Sequence, residues 1–235
     1  MRKLLLSMLA TFLVIGLVGA STFAWFQDTE TSTGNIFQAG TLDLKMEDPG
    51  TGYWVDGVSG TWTLLGMKPN SAEVYGKIEL GSFGTLTGDH LEIWCTYTVN
   101  DDPDVESDTD KETYCYPERF ARYMEITLMV YTNDNWWFDL LTGQKYLGSY
   151  PNTSNPDGVQ AKWRVDDQES PGQPGYGVIS LYDLNQDPID DLPPPDGGNT
   201  QFKMRLKLHS SADNGIQGDT LNLTMIFTLN QDSSQ

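Results

Sequence analysis

Strict two-residue alternation is the feature of this chain that most narrows its fold. In Phe202-Lys203-Met204-Arg205-Leu206-Lys207-Leu208 apolar and charged side chains take turns without a break. A strand points successive side chains to opposite faces, so such a segment buries one face and wets the other. The last segment behaves alike, with Leu221, Leu223, Met225, Phe227 and Leu229 on one face and Asn222, Thr224 and Thr228 on the other. Earlier runs follow suit: Leu42, Leu44, Met46; Val74, Gly76, Ile78, Leu80; Leu91, Ile93, Cys95, Tyr97, Val99; Ile126, Leu128, Val130. Turn-rich connectors separate them at residues 48–52, 152–158 and 171–177. Only residues 117–123 read as a short helix, with Pro117 near its start. Many short half-buried strands and almost no helix predict an all-β protein of two packed sheets, a jelly-roll β-sandwich with long connecting loops. The 235 residues suit one such domain, and 38% hydrophobic content with seven Trp excludes a disordered chain.

The first 24 residues break the pattern. They hold no acid and two bases, Arg2 and Lys3, followed by an apolar run over residues 4–20 and a small-residue exit ending at Ala24. These are the three parts of a secretory signal peptide, with cleavage expected between Ala24 and Trp25. The alternative is an uncleaved anchor, since the apolar character runs on through Trp25 and Phe26 and just reaches across ~30 Å of hydrocarbon. Either way the remainder lies outside the cytoplasm, a secreted or cell-surface protein that meets the membrane through its leader.

Charge excludes further classes. The chain carries a formal net charge of −19, and the two bases leave with the leader. Such a surface is repelled by phosphate backbones and by anionic headgroups, so nucleic acid and anionic membrane are not partners. Two connectors concentrate the acid: residues 101–112 hold seven acids and one Lys, and residues 187–199 hold four Asp with four Pro. The second reads as an extended loop with polyproline character at Pro193, Pro194 and Pro195.

Candidate chemistry is sparse. Cys95 and Cys115 are the only cysteines, and in an oxidising compartment they invite a disulfide. Closing the intervening loop would contribute about 3 kcal/mol; two free buried thiols are the alternative. With only His90 and His209, no H-E-x-x-H zinc helix is possible, and a lone His in a β protein is more often a polar surface residue. No nucleophile elbow, P-loop or dinucleotide fingerprint occurs. A glycosidase carboxylate pair is not visible in sequence, which does not show which acids face each other. Calcium has some support: Asp102, Asp104, Glu106, Asp108 and Asp110 alternate in one oxygen-rich loop, although the EF-hand glycine is absent. The Asp183-x-Asn185-x-Asp187 run is a weaker candidate, and a solvated acidic surface is the alternative to both. Asn152 and Asn222 head N-x-[ST] sequons and are candidate glycosylation sites.

Resemblance becomes specific around the cleavage site. Residues 21–45 read STFAWFQDTETSTGNIFQAGTLDLK, and a similar turn segment stands at Leu65-Gly-Met-Lys-Pro-Asn70, with another at Asn214-Gly-Ile-Gln-Gly-Asp-Thr220. In these motifs the chain resembles the TasA/camelysin family of exported proteins processed by SipW-type signal peptidases. Asn70 departs from the family's usual Gly, and residues 85–200 carry no family motif. The resemblance implies a jelly-roll subunit of extracellular fibres, biofilm matrix or bundling pilus, joined by donor-strand exchange and bundled laterally. It also implies a mature chain that starts at Trp25.

The arm, residues 25–40, supports the same idea on physical grounds. Trp25, Phe26, Ile36 and Phe37 flank a Thr/Ser-rich stretch that has no core of its own, and apolar groups at a free terminus need burial. Extended, residues 25–39 reach about 50 Å. Laid on a neighbour's sheet edge, the four side chains would contribute roughly 6 to 12 kcal/mol before ordering entropy is subtracted. Donor and acceptor being different surfaces, the contact repeats head-to-tail into a homopolymer. The expectation is therefore three parts, 1–24 leader, 25–40 donor arm and 41–235 sandwich, with a structural role, no enzyme activity and no cofactor beyond Ca2+. The alternatives are a camelysin-like surface metalloprotease and a monomeric exported carbohydrate-binding sandwich that uses Trp136 and Trp137.

Overall fold

The computed structural model describes residues 42–47, 53–55, 73–100, 118–196, 199–212, 216 and 219–231, which belong to a unit spanning residues 40–235. In chain order the strands are β1 (Leu44–Glu47), β2 (Trp54–Val55), β3 (Val74–Ser82), β4 (His90–Asn100), β5 (Met124–Thr132), β6 (Trp136–Asp139), β7 (Gln144–Leu147), β8 (Pro156–Val159), β9 (Ile189–Leu192), β10 (Thr200–Leu208) and β11 (Thr220–Asn230). Helix α1 (Arg119–Tyr123) precedes β5, and α2 (Leu181–Gln186) precedes β9. All pairings are antiparallel, in one sheet of order β2-β1-β3-β10-β5-β6-β7-β8 and a second of order β11-β4-β9. Two antiparallel sheets with few helices are the all-β sandwich that the alternation predicts.

β10 shows why. Phe202, Met204, Leu206 and Leu208 are buried, while Lys203, Arg205 and Lys207 face outward, as period two requires. Its neighbours supply matching partners: Phe202 lies opposite Ile78 of β3 and Tyr131 of β5. Outside, Arg205 pairs with Glu73 at 3.2 Å and Lys207 with Glu125 at 3.1 Å. Leu91, Ile93 and Cys95 of β4 are fully buried, and the Phe202 and Phe227 rings, one from each sheet, meet at 5.3 Å and 74°. That edge-to-face contact ties the two layers together.

Departures from the sequence reading have local causes. Residues 187–199 are not a free loop: Ile189 and Leu192 are buried, and they pair with Ile93 and Leu91 as β9, with a register shift between. The proline run that follows is held where Tyr131 Oη donates to the Pro193 carbonyl at 2.8 Å. β8 begins inside the expected turn at 152–158. A second helix, α2, went unforeseen, yet its start is written locally. Ser180 Oγ accepts from Asp183 N while the Asp183 carboxylate accepts from Ser180 N, a capping box. The helix expected over 117–123 is α1. Among the described residues no helix is long and apolar enough to cross a membrane.

Candidate functional site

Two sheets have four outer strands, and these are built very differently. β2 is two residues long. β8 is four exposed residues that include Pro156, Asp157 and Gly158. β9 is four residues with Asp190 and Asp191, the latter at φ +62°. Short length, proline and charge are the standard ways in which an edge is made unattractive to further strands. β11 has none of them. It runs eleven residues, Thr-Leu-Asn-Leu-Thr-Met-Ile-Phe-Thr-Leu-Asn, without a charge, a proline or a glycine.

β11 pairs with β4 along its whole length, Thr220 opposite Asn100 through Asn230 opposite His90, and among the described residues this is its one strand neighbour. Its apolar residues are all left half-buried: Leu221, Leu223, Met225 and Phe227 pack against the core without being sealed into it. Across the pair, Cys95 directly opposite Met225 is fully buried. The far edge of β4 is closed, first by β9 and then by Asn185 Nδ2, which donates to the Cys95 carbonyl at 2.8 Å. Among the described residues the open side of the small sheet is therefore the β11 side, where backbone donors and acceptors and a half-buried apolar row lie together. Such an edge accepts a further strand through main-chain hydrogen bonds and side-chain pockets.

The expected site residues fall as follows. Ala24, Trp25, Phe26, Ile36, Phe37, Cys115 and the acidic Asp102, Asp104, Glu106, Asp108 and Asp110 lie outside the described residues. Cys95 is a free thiol whose Sγ donates to the Leu181 carbonyl at 3.5 Å, so the expected bridge is not seen at this end; burial pushes the thiol up to about 12. Asn152 is exposed, with Oδ1 accepting from Ser154 N at 2.9 Å. Asn222 is exposed on β11, on the face opposite Leu221 and Leu223. Trp137 is only 4% exposed and stacks on Tyr146 at 4.2 Å, while Trp136 joins the Tyr131 and Phe138 rings. Both tryptophans are thus occupied within the protein, which removes the sugar platform the sequence offered. The Asp183-x-Asn185-x-Asp187 run is no single ligand loop: Asp183 caps α2, Asn185 reaches Cys95, and Asp187 accepts from Asp166 N.

Sequence reasoning missed two polar clusters. His90, expected at the surface, is buried, with its side chain 4% exposed. Its Nε2 lies 3.4 Å from Asp190, 3.6 Å from Glu92 and 3.2 Å from the Asn230 amide. In the second cluster, carboxylate oxygens of Asp167, Glu169 and Asp183 lie within 4.8 Å of one another. Burial foremost, then Asp183 and Asp167, pushes the Glu169 carboxyl up to about 9, with Arg122 pulling the other way. Neither cluster has a spacing signal in the sequence, because each gathers residues from separate elements.

Residues 1–116 match the family model described as camelysin metallo-endopeptidase. No curated protein matches the chain. The family resemblance carried by the leader and arm motifs is thus borne out over the stretch that ends beyond β4, in a family that includes TasA. The family description implies a peptidase metal. Catalytic zinc takes three protein ligands, such as a trio of histidines or a histidine pair with one glutamate, and keeps an open position. His90, Glu92 and Asp190 are one imidazole short of the second set, the His90 nitrogen already faces Asn230, and Lys162 sits 3.7 Å from Asp190. These residues do not fit a peptidase zinc.

Proposed function

We propose that this chain, a camelysin-family relative over residues 1–116, is a non-enzymatic subunit of a secreted extracellular filament, in which the N-terminal arm of one copy adds as a strand to β11 of the next. The observation that carries the reading is β11 itself. In a chain with 33 acids, the longest outer strand has no charge and keeps its apolar row half-exposed. A strand of that length measures about 37 Å, which the roughly 50 Å reach of residues 25–39 covers. Trp25, Phe26, Ile36 and Phe37 would lie against the half-exposed row, replacing water on both partners. The donor and acceptor surfaces differ, so the contact propagates. The acidic exterior keeps filaments apart at low salt, and their lateral bundling responds to salt and divalent cations. The SipW-type signal peptidase is the partner that frees the arm.

Electron microscopy of the purified mature protein tests this. Filaments are expected from the chain starting at Trp25 and none from a chain starting at Gly40. A synthetic peptide of residues 25–39 should bind the shortened chain and raise its Tm. Filaments from the shortened chain would overturn the donor arm, and casein hydrolysis abolished by chelation would replace the structural reading with a peptidase.

A further inference from the structure

The loop between β8 and α2 brings Asp167 and Glu169 up to Asp183 in the first turn of α2. Two of the three carboxylates are already aimed by main-chain donors. Asp183 Oδ1 accepts from Gln168 N at 2.7 Å, and its Oδ2 accepts from Ser180 N at 2.7 Å and Ser180 Oγ at 2.8 Å. Asp167 accepts from Glu169 N at 3.0 Å and Gly177 N at 2.8 Å. Glu169 differs: its side chain is 0% exposed, and neither carboxylate oxygen has a hydrogen-bond partner. Its nearest cation is Arg122, with Nη1 3.4 Å from Oε1. That guanidinium is shared, pairing through Nη2 with Glu118 at 3.3 Å and stacking 3.4 Å over the Tyr182 ring. Three carboxyl groups converge on one shared cation, and burying a carboxylate without a donor is costly.

We propose that Asp167, Glu169 and Asp183 form a Ca2+ site that pins this loop to α2. The donors are all oxygen, which selects a hard cation over zinc or copper. Ligand oxygens within 4.8 Å of one another suit Ca–O bonds of about 2.3–2.6 Å, and Ca2+ tolerates the irregular geometry that Mg2+ does not. Asp167 is at least partly exposed, so one side stays open for the waters that complete the coordination. The main-chain bonds to both Asp carboxylates orient them in advance, the outer-shell arrangement that metal sites rely on. This site is separate from the acidic run at 102–110 and independent of the filament reading.

The test uses the full chain stripped with EDTA and then titrated with CaCl2 by calorimetry, with thermal unfolding in CaCl2 and in EDTA alongside. One Ca2+ is expected to bind, raising Tm by roughly 5 to 10 °C at a hundredfold excess over Kd. Asp167→Asn, which keeps the side chain's size and one of its two acceptors for main-chain donors, should weaken binding at least the roughly tenfold that even outer-shell losses cost. Glu169→Gln should abolish the shift. Should that variant fail to fold, Asp167→Asn alone decides. No binding at millimolar Ca2+ overturns the site. So does binding that Asp167→Asn leaves intact while Asp104→Asn with Asp108→Asn removes it.

Discussion

β10 and β11 are written alike and finished differently. Both alternate, β11 with Ile226 as the one apolar residue on its outer face, and each carries a Met within its apolar row, Met204 and Met225. β10 has a strand on either side, a fully buried inner face and a charged outer face whose cations find Glu73 and Glu125. β11 has one strand neighbour among the described residues, an inner face half open and an outer face of Asn, Thr and Ile226. Alternation alone thus establishes that a segment is a strand with one apolar face. Whether that face is sealed depends on how many layers and neighbours reach it, and among the described residues β11 has fewer of both.

The comparison can be broken most directly with methionine. Met204→Ala should cost about 2–5 kcal/mol in urea unfolding, the usual range for a sealed core methionine. Met225→Ala, measured in the monomeric chain starting at Gly40, should cost about 1 kcal/mol, because part of its surface is already wet. Equal costs would mean that β11 is an interior strand. A charge sharpens the contrast: Leu223→Lys should leave the shortened monomer folded while abolishing filaments of the mature chain, whereas Leu206→Lys should prevent folding altogether.

Thiol chemistry probes the same boundary between neighbouring positions. In a Cys115→Ser background, Cys95 should resist N-ethylmaleimide at pH 8, since burial both covers it and holds its pKa at about 12. A Met225→Cys thiol directly opposite, in a chain that also carries Cys95→Ala, should react at least about 100-fold faster. Filament assembly should slow that reaction; a rate unchanged by assembly would place the joint elsewhere. A last prediction concerns Glu169, the buried carboxyl in the loop between β8 and α2. Its carboxyl is raised from its usual 4.5 towards about 9, so the folded state prefers the protonated form. In EDTA this stabilisation is complete below about 4.5 and is lost as pH rises through about 9. Glu169→Gln should flatten that slope in thermal unfolding across pH 5 to 9.

Much of this was legible in the chain. Phe202 to Leu208 and Leu221 to Leu229 state their faces outright, because a two-residue period has one structural meaning. The camelysin-type motifs of residues 21–45 were equally plain, being contiguous. β9 was hidden because Ile189 and Leu192 are three residues apart and only a register shift against β4 lets both point inward. His90 was misplaced because its burial depends on Asp190, one hundred positions away and on another strand. The Asp167, Glu169 and Asp183 cluster was invisible for the same reason.

By itself the sequence determined that this is an acidic, all-β chain whose first residues resemble the camelysin family, since charge, composition and period are local properties. Only the tertiary structure decided which strand is left at an open edge and which carboxylates converge. Those outcomes depend on strand order and on contacts between distant residues. β10 and β11 show the limit: their local patterns are close, and among the described residues their neighbours make one a core strand and the other an outer strand.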